Sequence, residues 1–416
     1  MITSSSIACH AQDVAVLATI QSRTTSVVKG ICRRATVAAL AGALACAAGA
    51  ALARGVVETD LVANKAALTD ANGVVHQPAF VDPHLLNPWG VGESGASPFW
   101  VSDNGAGVST LYNTSGTPQS RVVSIPSPDD PLGTGGAPTG LVFNIASGQN
   151  AFMVSGVNAG GIATSAPAVF LFATEDGTIL GWNPGVNPKG FDPAKVGNYA
   201  IVAVNNRNGA VYKGLAIAIV DGAPRLYATN FHAGTVEVYG ADFKPAPGLP
   251  PDAFVDARLP RGYAPFNVVP ITVINTTQLF VTYAVQDADQ HDDVAGQGHG
   301  IVDTYTLDGQ MIARFAQHGQ LDSPWGVALA PTTFGELAGD LLIGNFGNGQ
   351  INAYSPTTGE FINKVRDPRN KAVVIDGLWT IKFGNGGSGG DKNTLYFTAG
   401  PNGESDGLFG SLSVEQ

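Results

Sequence analysis

The stretch SDNGAGVSTLYNTSG (102–116) is a polar, Gly/Asn-rich turn running into an alternating strand, and the chain repeats this pattern five more times. The later copies read ATEDGTILGWNPG (173–185), TNFHAGTVEVYGADF (229–243), YAVQDADQHDDVAGQGHGIVDTYTLDG (283–309), GNFGNGQINAYSPTTG (344–359) and TAGPNGESDGLFGSLS (398–413). An apolar strand precedes each turn, and a Gly-marked strand opens each unit. Those openings are Pro88-Trp89-Gly90-Val91, Pro138-Thr139-Gly140-Leu141, Tyr212-Lys213-Gly214-Leu215, Pro265-Phe266-Asn267-Val268, Pro324-Trp325-Gly326-Val327 and Gly377-Leu378-Trp379-Thr380. One such unit cannot bury its own apolar face, so a strand repeat of this period signals units stacked around a common core. Six openings predict six blades, and the fold class expected is an all-β, six-bladed β-propeller. A glycine at the opening fits strands that crowd at a central axis, where a missing Cβ lets backbones approach. The last unit ends soon after its third strand. Val56–Val62 is the expected fourth, so that an N-terminal strand closes the ring and removes an exposed edge.

Composition agrees with many short strands and tight turns. The 416 residues include 53 glycines and 26 prolines, only 13% are charged, and 44% are hydrophobic, too apolar for a disordered chain. No helix is expected beyond the leader.

Residues 1–53 read differently. Lys29, Arg33 and Arg34 precede an Ala-rich apolar run from Ala35 to Leu52, which ends in Ala51-Leu52-Ala53. A basic region, a short apolar run and a small-x-small end make a cleavable signal peptide over 1–53, with the propeller occupying 54–416. A membrane anchor and a lipidated Cys46 are the alternatives; the run is at the short limit for spanning. The expected location is secreted or periplasmic, with no membrane insertion once the leader is removed. Cys9, Cys32 and Cys46 all lie in the leader, so the mature chain has no thiolate for metal binding or nucleophilic attack. Cleavage leaves 18 basic against 32 acidic side chains, a net charge of −14, which excludes nucleic acid as a partner.

Leu86-Asn87-Pro88-Trp89-Gly90, Ser102-Asp103-Asn104-Gly105, Thr59-Asp60-Leu61-Val62 and Leu408-Phe409-Gly410-Ser411-Leu412 together resemble an uncharacterised family of secreted bacterial propellers, some of which carry a C-terminal PEP-CTERM sorting signal. The resemblance spans roughly residues 57–414. More distantly the blades are similar to NHL-type and gluconolactonase-like propellers, and the latter resemblance implies a divalent metal held by a Glu, Asn and Asp set.

Alternating strand direction puts the turns after the second strands on one face. That face is expected to gather Asp103, Asn104, Glu175, Asp176, Asn230, His232, Gln286, Asp287, Asn345, Asn348 and Asn402. Asp103, Asn104, Asn230, His232, Asn345 and Asn402 are the candidate ligand-binding residues. Asp287 is the candidate metal ligand, for Ca²⁺ or Zn²⁺, with Asp293 placed on a solvated outer loop. Asn, Asp and Gly are also the ordinary residues of tight turns, which cap the backbone locally. Trp89, Trp325 and Trp379 either stack on a ligand or wedge between blades. The loop Asp287–Asp293 fails as an EF-hand, with Asp292 where glycine is needed. H-E-x-x-H, G-x-S-x-G and P-loop patterns are absent. The function expected is a binding or scaffold module for a small molecule, glycan or protein on the turn face; a metal-dependent hydrolase of lactonase type is the alternative.

Overall fold

The computed structural model describes residues 55–415, so the expected signal peptide lies outside the described residues. Six antiparallel sheets follow one another along the chain. Blade one is built from Pro88–Gly92, Phe99–Asp103, Val108–Tyr112 and Val123–Ser124. Blade two uses Pro138–Phe143, Phe170–Thr174, Thr178–Trp182 and Ile201–Asn205, and carries an inserted hairpin, Met153–Val157 with Ala163–Pro167. That hairpin explains part of the long interval between the second and third openings. Blade three has Tyr212–Val220, Ala223–Asn230 and Thr235–Tyr239, and blade four has Tyr263–Val273, Thr276–Val285, Ile301–Tyr305 and Met311–Gln317. Blade five has Pro324–Leu329, Leu341–Asn345, Ile351–Tyr354 and Phe361–Lys364.

Blade six combines Leu378–Phe383, Leu395–Ala399 and Leu408–Val414 with the N-terminal strand Val56–Ala63, which runs antiparallel to Leu408–Val414 from Val56 opposite Val414 to Ala63 opposite Leu408. Each innermost strand packs against the next, and Leu378–Phe383 packs back against Pro88–Gly92, so the six sheets form a closed ring: a six-bladed β-propeller. The only helical pieces among the described residues are four single 3₁₀ turns.

Second strands such as Phe99–Asp103 and Leu341–Asn345 are buried throughout, because a neighbouring blade covers each face. Aromatic and aliphatic layers fill the gaps between blades, as Phe99, Val101, Tyr112, Tyr396 and Phe409 do between blades six and one.

The axis is where sequence and geometry meet most tightly. A Cβ on Gly90 would lie 2.4 Å from the Thr139 carbonyl, and one on Gly140 would lie 2.4 Å from the Leu215 amide. Those glycines are required by backbone approach. Blade six departs from the expected alignment by one residue: Thr380, not Trp379, takes the axial place. A Cβ on Gly326 would fall 2.7 Å from Trp379 O and 2.8 Å from Ile381 N, on either side of Thr380. Where the axial residue is not glycine, a polar side chain ties the next blade. Asn267 Nδ2 donates to the Trp325 carbonyl at 2.8 Å, and Thr380 Oγ1 donates to the Trp89 carbonyl at 2.7 Å. In every blade the register between first and second strands is irregular at this point. Bulges re-aim the side chains beside them.

Candidate functional site

The residue just before the axial position is Trp89, Thr139, Lys213, Phe266, Trp325 or Trp379 in the six blades in turn. Five of these are large, and they converge. Trp89 stacks on Trp379 with centroids 3.4 Å apart, Phe346 stacks on Trp379 at 4.0 Å, and Trp325 meets both tryptophans edge-on. Phe231 and Phe266 complete one buried cluster. The tryptophans are 1–3% exposed, so they wedge the blades together and offer no open face for a ligand.

Lys213 is the charged member of this plug. Its side chain is 1% exposed, and its ammonium contacts the Glu175 carboxylate and lies 3.2 Å from Asp292 Oδ1. It also sits 4.9 Å from the Trp89 ring centroid and 5.8 Å from that of Phe231, where ring quadrupoles attract a cation. Burial would lower its pKa, but Glu175 and Asp292 raise it further, so Lys213 is charged. The other Glu175 oxygen accepts from Asn104 Nδ2 at 2.8 Å, Asn104 accepts from Asn87 Nδ2 at 3.3 Å, and Asn87 accepts from Trp379 Nε1 at 3.1 Å. Two further acids border the cluster. Burial pushes Glu404 up to about 7, with Glu175 adding to it and Lys213 opposing. Burial pushes Asp293 up to about 6 against the nearby Ser323 hydroxyl and the charge of Lys213.

Of the residues expected on the turn face, Asn104 and Glu175 therefore meet near the axis. The others are committed elsewhere. Asp103 lies buried beneath its turn, accepting from the Thr110 amide at 3.0 Å, and burial holds its carboxyl well above the usual range. Asp176 accepts from the Ala137 amide. Asn230 donates to Gly209 O and Glu237 and accepts from the Val211 and Ala233 amides. Asn345 donates to the Gln320 carbonyl and to Asn348, and Asn402 donates to the Thr69 carbonyl and Asp406. His232 is half-buried, and its carbonyl accepts from Gln286. Asp287 caps its own loop by accepting from the His291 amide at 2.9 Å. The placement of Asp293 needs correction. It is half-buried beside Lys213, and Asp292 is the exposed member of the pair, because the loop folds back over the plug.

Ligand atoms of Glu175, His291 and Asp292 lie within 4.8 Å of one another, a spacing suited to one metal ion. The Lys213 ammonium already sits between the two carboxylates, so the charge demand that would recruit a metal there is met by the protein's own cation. The residues present fit an internal ion cluster better than a metal site.

The opposite end of the axis is open. A cavity of about 290 Å³ is walled by the innermost strands, with Val91, Leu141, Phe143, Ile217, Val269 and Ile381 among its apolar residues, and its inner end reaches Trp325, Asn267 and Thr380. Glu93 and Lys382 stand at the outer ends of those strands, 3.4 Å apart. Glu93 is 7% exposed, its Oε2 has no hydrogen-bond partner, and burial raises its pKa to about 7 against the charge of Lys382. Sequence reading missed Lys213, Glu93 and this cavity. Lys213 was visible in the aligned openings as the one cation in an aromatic column.

No protein-family model matches the chain. An uncharacterised protein of Acanthamoeba polyphaga mimivirus is 28% identical over 349 residues, covering 82% of this chain and 78% of the viral one. This relative is viral, whereas the motifs resemble a bacterial family. Among solved structures, streptogramin B lyase aligns with TM-score 0.43 and 10% identity over 86% of this chain and 97% of its own. A PQQ-bound aldose sugar dehydrogenase from Streptomyces coelicolor aligns with TM-score 0.43 and 15% identity over 80% of this chain and 95% of its own.

Proposed function

We propose that this protein is a binding module that takes a small molecule in the axial cavity, on the face opposite the polar turns. The observation carrying this reading is the cavity itself: about 290 Å³, apolar walls, and the Glu93–Lys382 pair at its rim. Small-molecule sites combine an apolar body with a few placed polar groups. Glu93 and Lys382 would supply the polar contacts at the rim, and their pairing would limit the net charge there. The preferred ligand is therefore a small, mostly apolar molecule with one N–H or O–H donor. Binding is favoured over lactonase-type hydrolysis because Lys213 neutralises the acids on the turn face. The leader at 1–53 supports export to the periplasm or beyond, and N-terminal sequencing of exported protein should read from Arg54.

Titration with the neutral amine N-phenyl-1-naphthylamine tests the site by fluorescence. Saturable binding is expected, and Ile145→Trp and Val269→Trp should abolish it by filling the cavity while leaving the melting temperature nearly unchanged. No saturable binding, or binding that survives both substitutions, overturns the reading.

A further inference from the structure

A second cluster lies far from the axis in sequence, where the N-terminal strand meets a short hairpin. Glu58 and Asp60 are two residues apart on Val56–Ala63, so their side chains share one side of that strand. His76 ends the hairpin made by Leu68–Thr69 and Val75–His76. Its Nδ1 lies 2.9 Å from Asp60 Oδ1 and 3.9 Å from Glu58 Oε1. Its Nε2 faces the other way, 3.6 Å from Asp70 Oδ2.

Asp70 makes this more than a group of acids. Its side chain is 1% exposed, one oxygen accepts from the Val74 amide at 2.7 Å, and Oδ2 has no hydrogen-bond partner. A buried carboxylate oxygen aimed at the back of an imidazole is what a metal-bound histidine requires. When Nδ1 binds a metal, Nε2 must carry the proton and donate it to an acceptor that fixes the ring. Glu58, Asp60 and His76 Nδ1 lie within 4.8 Å of one another, close enough to share one ion. Among the described residues, the ion pairs recorded for Glu58, Asp60 and Asp70 are with His76 alone, so three carboxylates surround one imidazole.

We propose that Glu58, Asp60 and His76 form a divalent transition-metal site, zinc by its donor set, with Asp70 orienting His76 from behind. One imidazole and two carboxylates suit zinc, whereas calcium takes oxygen ligands. Glu58, 32% exposed, leaves a solvent-facing coordination position. Binding would also staple the closing strand to the hairpin, which is itself hooked to blade six by Ala71 N donating to Asp376 at 3.0 Å and Asn402 Nδ2 donating to Thr69 O at 2.9 Å. A metal on this site therefore stabilises ring closure.

The test is calorimetric titration of ZnCl₂ into the full chain carrying Cys9→Ser, Cys32→Ser and Cys46→Ser, so that no thiolate competes. The expected result is one Zn²⁺ per chain, a higher melting temperature with Zn²⁺, and no comparable response to CaCl₂. Asp60→Asn and His76→Gln should lose binding, and Asp70→Asn should weaken it by roughly 10- to 100-fold. Glu58→Gln, at the most exposed ligand, keeps the comparison valid if His76→Gln fails to fold, and it should also weaken binding. His291→Asn should change nothing. Absence of saturable Zn²⁺ binding, binding that survives Glu58→Gln and Asp60→Asn, or loss in His291→Asn would each overturn the proposal. None of these outcomes bears on the axial cavity.

Discussion

Replacing Lys213 with methionine removes one charge from the centre of the propeller while keeping the stem that fills the plug. Lys213 is 1% exposed and Glu175 is 12% exposed, so the stranded Glu175 carboxylate cannot rehydrate without opening the turn face. Asp292 is 65% exposed and recovers most of its hydration. Breaking a buried pair by removing one partner costs about 3–5 kcal/mol. Because one of the two acids stays wet, the lower end applies, about 3 kcal/mol. For a domain of this size that is a drop of roughly 4 °C in melting temperature. Lys213→Met with Glu175→Gln removes both charges and should be less destabilised than Lys213→Met alone, with a coupling on the order of 2 kcal/mol. Differential scanning calorimetry on the four proteins of this cycle measures it. If Lys213→Met melts within about 1 °C of the parent, the ion cluster does not hold the turn face and the reasoning fails.

Gly140→Ala should destabilise by about 1–3 kcal/mol, because the new Cβ would lie 2.4 Å from the Leu215 amide; an unchanged denaturation midpoint would contradict the axial approach. Stability should fall as pH rises from about 5 to about 8. Burial raises Glu58, Glu93 and Glu404 to about 7 and Asp293 to about 6, so the folded chain holds protons that the unfolded chain has already lost. A melting temperature that climbs over this range would reverse the sign. Deleting residues 55–64 should expose the edge of Leu408–Val414 and lower the melting temperature, and an unchanged melt would show that the strand contributes nothing to closure.

The repeat was legible because each blade needs the same punctuation: a small residue at the axis, a Gly/Asn turn after the second strand, and alternation in the third. Even the blade-six misalignment has a physical source. Thr380 replaces glycine and uses its hydroxyl to bond the next blade, so the small residue expected there is missing and the alignment falls on Trp379. The site was less legible. Asn230 and Asn345 look the same in sequence whether they cap a turn or face a ligand, and only their hydrogen-bond partners decide. Asp293 reads as solvated within an acidic run, yet the loop returns it to Lys213. The axial cavity left no local mark, because its walls are the same apolar strands that build the ring. Glu58, Asp60, Asp70 and His76 carry no spacing motif, since hairpin and strand meet only after folding.

The central claim is that the axis is plugged at the turn face and open as an apolar cavity at the other. Xenon-pressurised crystals of the protein test it directly, because xenon occupies apolar cavities. Xenon density is expected on the axis among Leu141, Ile217, Val269 and Ile381, with none beside Lys213. Xenon on the turn-face side of Trp89 and Trp379, with the opposite end empty, would contradict the account.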